Sequence, residues 1–517
     1  MRIWKKAFGW IKPQEKLIFE DKNTDISSDK QPLSANLEIN LALLGKLMGE
    51  AQDLIIREFS LGHDEHRAAV VLIDGLAEKE LVNEQILNPL MLEIRFEIPR
   101  GSNELFNRIK KYGIPNTAIK EDYTIDGVIN DILTGNTVLL LEGVDRALMI
   151  SSQGWKDRSI SEPITESVVR GPRDGFTETL RTNTTLIRRR IKSPDLRLEG
   201  IKIGTRTQTD VVIAYLNGVA KKDVVDEVRT RLESIKIDGV LESGYIEEFI
   251  EDRPLSPFPQ VERSERPDKV ASALLEGRVA ILVDTTPFVL MVPTVFFQFI
   301  QASEDYYERY YIGSMIRVLR VLALMVSITL PAIYIALTSF HHEMIPTPLA
   351  LSIASSREAV PFPAVGEALI MGIFFEILRE AGIRLPRPTG QAVSIVGALV
   401  IGQAAVEAGI VSQAMVIVVA LTGISSFAIP AYNAAVAGIL LRVPLVILAG
   451  FFGLFGILTG LSLILIHLCG LKVFGINYLS IVTSAGEGEY KDFVVRAPWW
   501  SMFHRAGRIT GKSKKKT

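Results

Sequence analysis

The sequence predicts an α/β region of two related subdomains followed by an all-α polytopic membrane domain. Three observations lead there. Residues 1–278 are dense in Lys, Arg, Asp and Glu, while 321–470 carry few charges. Within 391–429, two apolar runs, 392–408 and 410–429, meet at Gly409 and hold one formal charge, Glu407. Each run approaches the ~20 residues a helix needs to cross a ~30 Å hydrocarbon layer. The third observation is an internal repeat in the charged half.

The chain has 517 residues, too many for one compact domain, and a net charge of −2, so no bulk field argues for nucleic acid. One cysteine, Cys469, allows no intramolecular disulfide and no cysteine metal cluster. The basic start, Met1-Arg-Ile-Trp-Lys-Lys, lacks the apolar core of a secretory signal, which points to a cytoplasmic N-terminal region.

Residues 1–49 read as a polar tail and a lead-in helix. The repeat follows. Val70-Val-Leu-Ile-Asp-Gly-Leu-Ala-Glu-Lys-Glu-Leu-Val82 resembles Ile213-Ala-Tyr-Leu-Asn-Gly-Val-Ala-Lys-Lys-Asp-Val-Val225, with Gly75 on Gly218. Leu133-Thr-Gly-Asn-Thr-Val-Leu-Leu-Leu-Glu142 resembles Leu275-Glu-Gly-Arg-Val-Ala-Ile-Leu-Val-Asp284, with Gly135 on Gly277. Each unit opens with strand, glycine turn and helix, and closes with helix, glycine stop and strand. The expected subdomains are 50–199, with a linker, and 200–283. In the linker, a helix over 177–191 ends in Arg188, Arg189 and Arg190. These cations either offset the helix dipole in solvent or meet an acidic neighbouring subunit.

An interfacial hinge is expected at 284–320, with four tyrosines between Asp305 and Tyr311 at headgroup level. The transmembrane domain is 321–470, with spans at 321–340, 391–408, 411–429 and 445–468 and a shorter segment at 365–378. Arg379, Arg384 and Arg387 in one loop, and the basic tail within 471–517, place both on the N-terminal domain's side. An even number of crossings follows, between four and six. Small residues at Ala398, Gly402, Ala405 and Gly409, and at Ala449, Gly453, Gly456 and Gly460, form ridges suited to close helix approach.

Acids at membrane depth are the candidate functional groups. A carboxylate near mid-bilayer costs at least ~2.5 kcal/mol, so it must face a partner or water. Glu407 lies one turn after Gln403, and Glu367 and Glu376 point to opposite sides of one helix. Glu367, Glu376, Gln403 and Glu407 either line a cation path or pair with Arg379, Arg384 or Arg442. Lys512, Lys514, Lys515 and Lys516 form either an anionic-lipid-binding tail or a solvated one. Walker, HExxH, GxSxG and spaced metal motifs are absent from the sequence, so no cofactor and no enzymatic activity is expected.

Longer motifs carry a resemblance. They include Glu166-Ser-Val-Val-Arg-Gly-Pro-Arg173, Leu186-Ile-Arg-Arg-Arg-Ile191, Asp238-Gly-Val-Leu-Glu-Ser-Gly-Tyr245 and the stretch from Leu274 to Asp284. Others are Asp305-Tyr-Tyr-Glu-Arg309, Phe375-Glu-Ile-Leu-Arg-Glu-Ala-Gly-Ile-Arg-Leu-Pro386 and Gly390-Gln-Ala-Val-Ser-Ile-Val-Gly397. With these, the chain resembles the A subunits of GerA-type spore germination receptors from about residue 50 to 480. The stage V sporulation AF-type proteins share much of the pattern. The resemblance implies a place in the spore inner membrane, a transporter-like B subunit and a lipoprotein C subunit as partners, and self-association into a ring, with a pentamer as the candidate size. It implies a nutrient-gated cation channel. The alternatives are a membrane scaffold or signal transducer without its own pore and, last, a secondary transporter, since 321–468 shows no repeat.

Overall fold

The computed structural model describes residues 31–49, 51–61, 66–91, 99, 101–115, 118–154, 162–163, 165–384, 402–479 and 492–502. The polar tail through residue 30, most of the 391–408 span including Ala398, Arg387, and the basic tail with Lys512, Lys514, Lys515 and Lys516 lie outside the described residues.

The first unit starts with helix α1 (Leu37–Met48). The Asn36 side chain accepts from the Ile39 N–H and caps it. Strands β1 (Leu54–Leu61) and β2 (His66–Ile73) pair antiparallel. Then come β3 (Ile119–Asp122), α2 (Ile125–Leu133), β4 (Thr137–Leu141) and β5 (Ala147–Ile150). The sheet order is β1-β2-β4-β5-β3. Alternate residues of its central strands feed two cores. Ala68, Val70 and Leu72 face short helices from 79 to 113, and Ala69, Val71 and Ile73 face α1 and α2.

The second unit repeats this path. Helix α3 (Leu180–Arg190) precedes β6 (Leu196–Ile203) and β7 (Thr209–Leu216). Helices α4 (Lys222–Ser234) and α5 (Ser243–Ile250) follow, then β8 (Glu262–Ser264), α6 (Pro267–Leu275), β9 (Val279–Val283) and β10 (Val289–Val292). The order β6-β7-β9-β10-β8 matches the first sheet strand for strand. The glycines that betray the repeat all adopt left-handed backbone: φ is 90° at Gly75, 76° at Gly218, 94° at Gly135 and 92° at Gly277. Only glycine takes that conformation without strain, which is why these positions stay alike while the strands diverge.

Two boundaries differ from the sequence reading. The lead-in helix is part of the repeat, since α1 stands to β1 as α3 stands to β6. The apolar 289–292 segment, read as interfacial, is β10; Val289, Leu290, Met291 and Val292 are apolar because both faces of the sheet are covered.

Beyond the head, the described chain is mainly helical: α7 (Tyr310–Ser339), α8 (Thr347–Arg357), α9 (Ala364–Arg384), a turn and a half at 402–407, α10 (Gln413–Phe427) and α11 (Tyr432–Gly470), followed by a short antiparallel pair, Lys472–Val473 with Ile476–Asn477. Tyr310–Ser339 and Tyr432–Gly470 are long and apolar enough to cross a membrane, with mean hydropathies of 2.2 and 2.3. Helix α9 is longer than the 365–378 segment expected, because its charged final turns continue the helix.

Helix α11 is not one rod. Gly453 has φ 59° and ψ −139°, and beyond it the chain turns back. A Cβ on Gly456 would collide with the Leu448 carbonyl oxygen, and one on Gly460 with the Leu445 side chain. The arms before and after Gly453 are therefore antiparallel, so the span read at 445–468 is the top of a hairpin. Other contacts set the directions. Gly438 faces Ser327 and Ile328, and Gly453 faces Phe340, so α7 and the outgoing arm of α11 run together. Gly450 meets Val365, so α9 runs against them. Glu367 meets Ser412 and Phe375 meets Phe427, so α10 runs with α9.

The head and the helices share one core. Val228, Ile246 and Phe258 of the second unit join Leu324, Ala434, Leu468 and Tyr478 in it.

Candidate functional site

Charged side chains inside an apolar bundle are where function is most legible. Glu367, in the first turn of α9, is completely buried. The Ser412 N–H donates to its Oε2 at 2.8 Å, and Arg357 Nε donates to Oε1 at 3.2 Å. Ser412 also caps α10, its Oγ accepting from the Met415 N–H. One carboxylate thus joins the end of α8, the start of α9 and the positive N-terminus of α10.

Glu376 lies on another side of α9, as its nine-residue offset from Glu367 requires. It pairs with Arg379 Nη2 at 2.7 Å and stands 4.0 Å from Arg442 Nη2 on α11. One turn on, Glu380 pairs with Arg384 at 2.6 Å. Gln403 and Glu407 form the polar stripe expected of them: Gln403 Nε2 donates to Glu407 Oε1 at 2.8 Å, and both side chains are exposed. The structure therefore does not gather the four candidates into one lumen. Glu367 and Glu376 are tied to arginines of the same chain, and Gln403 with Glu407 stands on the outer face.

The Arg188–Arg190 run also separates. Arg188 is fully buried, with Nε and Nη2 donating to the two Asp53 oxygens at 2.8 and 3.0 Å. It ties the second unit's first helix to the entry of β1 in the first unit, so its guanidinium is not offered to a neighbouring subunit. Arg190 pairs with Asp174 and also donates to the Leu186 carbonyl, while Arg189 is half-buried.

Sequence reasoning missed the junction. Asp305 is 1% exposed and accepts from Arg317 Nε at 2.8 Å and from Arg320 Nη1 at 2.8 and 2.9 Å. Arg317 Nη1 reaches Asp492 at 2.7 Å, and Arg496 Nη1 donates to the Asp305 carbonyl at 2.6 Å. The Tyr306 hydroxyl donates to Asp492 at 2.7 Å, and the Tyr307 hydroxyl donates to Asp268 at 2.5 Å. These two tyrosines are anchors within the protein, not headgroup contacts. Burial, with Asp492 beside it, pushes the Tyr306 phenol well above its ordinary range, so it remains a donor. The available signal was Arg317 and Arg320 at i, i+3 on an otherwise apolar helix, twelve and fifteen residues after an acid.

A second acidic spot lies under the bundle. Burial, then the charges of Glu247, Glu248 and Asp252, push the Glu251 carboxyl up to about 7. The folded head keeps this proton to about pH 7, whereas an ordinary carboxyl near 4.5 releases it. The unfolded chain thus binds fewer protons in that window, and stability falls as pH rises through it. Thermal unfolding of the full chain is expected at lower temperature at pH 8 than at pH 6, and Glu251→Gln should flatten that difference.

With this geometry in hand, known proteins can be compared. The sequence model of the family described as Bacillus/Clostridium GerA spore germination protein matches residues 42–507. The chain is 50% identical over 477 residues to the uncharacterized membrane protein YfkQ of Bacillus subtilis, covering 92% of each chain. It is 46% identical over 483 residues to spore germination protein KA of Bacillus subtilis, covering 93% of this chain and 88% of that one. Among solved structures, the N-terminal domain of the A subunit of the Bacillus megaterium spore germinant receptor GerK3 is similar at 35% identity and a TM-score of 0.41, over 52% of this chain and 99% of that one.

Proposed function

We propose a function from one premise: this chain belongs to the GerA family of spore germination proteins. On this reading it is the A subunit of a germinant receptor in the spore inner membrane, a multi-pass protein that answers a nutrient by passing cations. Its partners are a transporter-like B-type and a lipoprotein C-type subunit, and it self-associates into a ring, with five as the candidate number. The helix directions support six crossings. Among the described residues, α7 and the outgoing arm of α11 lead away from the head, and α9, α10 and the returning arm lead back; because α9 ends on the head's side and α10 starts at Ser412 on the far side, the chain must cross once more between them. Arg379 and Arg384 then lie on the head's side, as a cytoplasmic head requires. The two α/β subdomains would form the ring's cytoplasmic part, and the Lys512–516 tail would meet anionic lipid beside it.

The observation that carries the cation reading is the exposed Gln403–Glu407 stripe. Glu407 lies two residues before the left-handed turn at Gly409, at the end of the bundle away from the head, where its carboxylate can meet water at the mouth of a path or another copy. Glu367, Glu376 and Glu380 each hold an arginine of their own chain, which leaves them little free charge for a permeating ion. A cation path between copies, past Glu407, fits this distribution better than one through a single copy. The paired interior acids are also what a scaffold without a pore would need, so the two readings part at Glu407.

The test is nutrient-dependent cation flux from vesicles holding this chain with its B-type and C-type partners. Glu407→Gln is expected to lower flux roughly tenfold, equivalent to ~1.4 kcal/mol, with subunit abundance unchanged. Glu367→Gln is expected to lower abundance instead, because Arg357 is left facing a neutral amide in a buried site. Undiminished flux in Glu407→Gln would move the path elsewhere, and no nutrient-dependent flux at all would leave the scaffold standing.

A further inference from the structure

Between α7, α9, α10 and the outgoing arm of α11 the bundle leaves a cleft of about 660 Å³. That is within the ~300–1,000 Å³ range of sites that take one amphiphile-sized molecule. Its walls are apolar, with Leu369, Ile373, Ile377, Val419, Val443 and Val446 among them. It opens sideways, toward what would be lipid: Ile373 and Ile377 are 59% and 60% exposed.

Charged groups of both signs also line this space, Glu376, Glu380 and Arg384 on α9 and Arg442 on α11. Arg442 lines the cleft and is 7% exposed. Its Nε and Nη2 make no hydrogen bond among the described residues, nor do the two Glu376 oxygens and Arg379 Nε, and Glu376 stands 4.0 Å from Arg442 as a long ion pair. Glu376 is already held by Arg379 at 2.7 Å, and Glu380 by Arg384 at 2.6 Å. Arg442 is therefore the surplus cation of this cluster. A desolvated guanidinium has five donors to satisfy and is costly to leave unpaired.

The depth of Arg442 names the anion. Phe258 and Phe296 of the head pack against Leu324, Ile328, Ala434 and Gly438, so lipid cannot begin below that level. Arg442 lies one turn further along the helix, ~6 Å at 1.5 Å per residue. Its guanidinium is then at the headgroup-to-glycerol depth of the leaflet on the head's side.

We propose that this cleft binds one anionic phospholipid of that leaflet. The phosphodiester sits on Arg442, with Arg379 beside it, and an acyl chain runs along Ile377, Ile373 and Leu369. The anionic headgroup removes the charge surplus, and the chain covers the apolar wall.

The test uses the full chain, purified in mild detergent and exchanged into equal phosphatidylglycerol and phosphatidylcholine with matched acyl chains. Native mass spectrometry reads the lipid retained per chain. One phosphatidylglycerol is expected, preferred roughly tenfold over phosphatidylcholine. Arg442→Gln should abolish the preference, and Ile373→Trp, which fills the cleft and leaves Arg442 in place, should expel the lipid. If Arg442→Gln does not accumulate as folded chain, Ile373→Trp decides alone. Equal retention of both lipids, retention of neither, or retention unchanged by Ile373→Trp overturns the proposal. So does an unmodified chain that holds no lipid but loses self-association on Ile373→Trp, since a second copy would then be what covers the cleft.

Discussion

Asp305→Ala is expected to cost about 3–5 kcal/mol, enough to remove most folded chain at 37 °C, because it takes a shared carboxylate from two largely buried guanidinium groups at once. Arg317 and Arg320 converge on this carboxylate from successive turns of α7, and Arg317 is 1% exposed. Without Asp305, Arg317 keeps only Asp492 and the Phe493 carbonyl. Those acceptors lie on the 492–502 segment, which Arg496 in turn fastens to the Asp305 and Glu308 carbonyls. The Asp305 and Glu308 carbonyls survive the substitution, so the loss falls on the side-chain tie between residue 305 and α7 while the 492–502 segment stays fastened. The measurement is subunit abundance and thermal unfolding of the full chain. Arg320→Gln should cost less, because it leaves the Asp305–Arg317 pair intact. Equal, small effects from both would mean the junction carries little of the fold's stability. The position matters for function because α7 leaves the head here, so these bonds, with the shared apolar core, couple the head to the bundle.

Much of this architecture could be read from the chain alone, and what escaped has physical causes. The doubled head was legible because two turns and two helix stops demand positive φ, and Gly75, Gly218, Gly135 and Gly277 preserve that demand. Its start was missed because α1 and α3 share position but little sequence, one apolar and one arginine-rich. The 289–292 strand was misread because a strand covered on both faces is as uniformly apolar as a segment in lipid. Glu367 and Glu376 were rightly found on different faces, since helical spacing fixes that; Arg379, three residues after Glu376 on the same helix, was among the partners named, whereas Arg357, which holds Glu367 from another helix, had no spacing rule to reveal it. The Arg188–Arg190 run looked like surface, yet Arg188 closes onto Asp53 far away in sequence. The small-residue ridge at Ala449, Gly453, Gly456 and Gly460 was correctly tied to close packing, and all four are buried. Gly456 and Gly460, on the returning arm, pack against Leu448 and Leu445 of the outgoing one, while Gly453 packs against Phe340 and His341.

That return is the second large prediction, and the chain carries its own probe. A straight Tyr432–Gly470 helix would be ~58 Å long and put Cys469 on the opposite side of the membrane from Tyr432. A reversal at Gly453 brings it back to the head's side, beside Leu468 and Leu471, which pack in the head's core. Cys469 is the sole cysteine in the sequence and is exposed. With the head cytoplasmic, as proposed, an impermeant maleimide is expected to label the unmodified chain in inside-out vesicles, where protease reaches the head, and to leave it unlabelled in right-side-out ones; label and head on opposite sides would straighten the helix and remove one crossing. Substitution gives the energetic half of the argument. Any side chain at Gly453 must hold φ 59°, ψ −139°, a region that costs a non-glycine residue about 1–3 kcal/mol. Gly456→Ala should cost more than Gly453→Ala, because its new methyl meets a backbone oxygen that cannot rotate away, whereas the groups facing Gly453 are the His341 and Phe340 side chains. In lipid, where apolar burial does not hold helices together, this close approach at glycine is what keeps the two arms paired. Each arm runs beside or against α7 and α9, so opening the hairpin would also displace Arg442 from Glu376 and change the cleft between them.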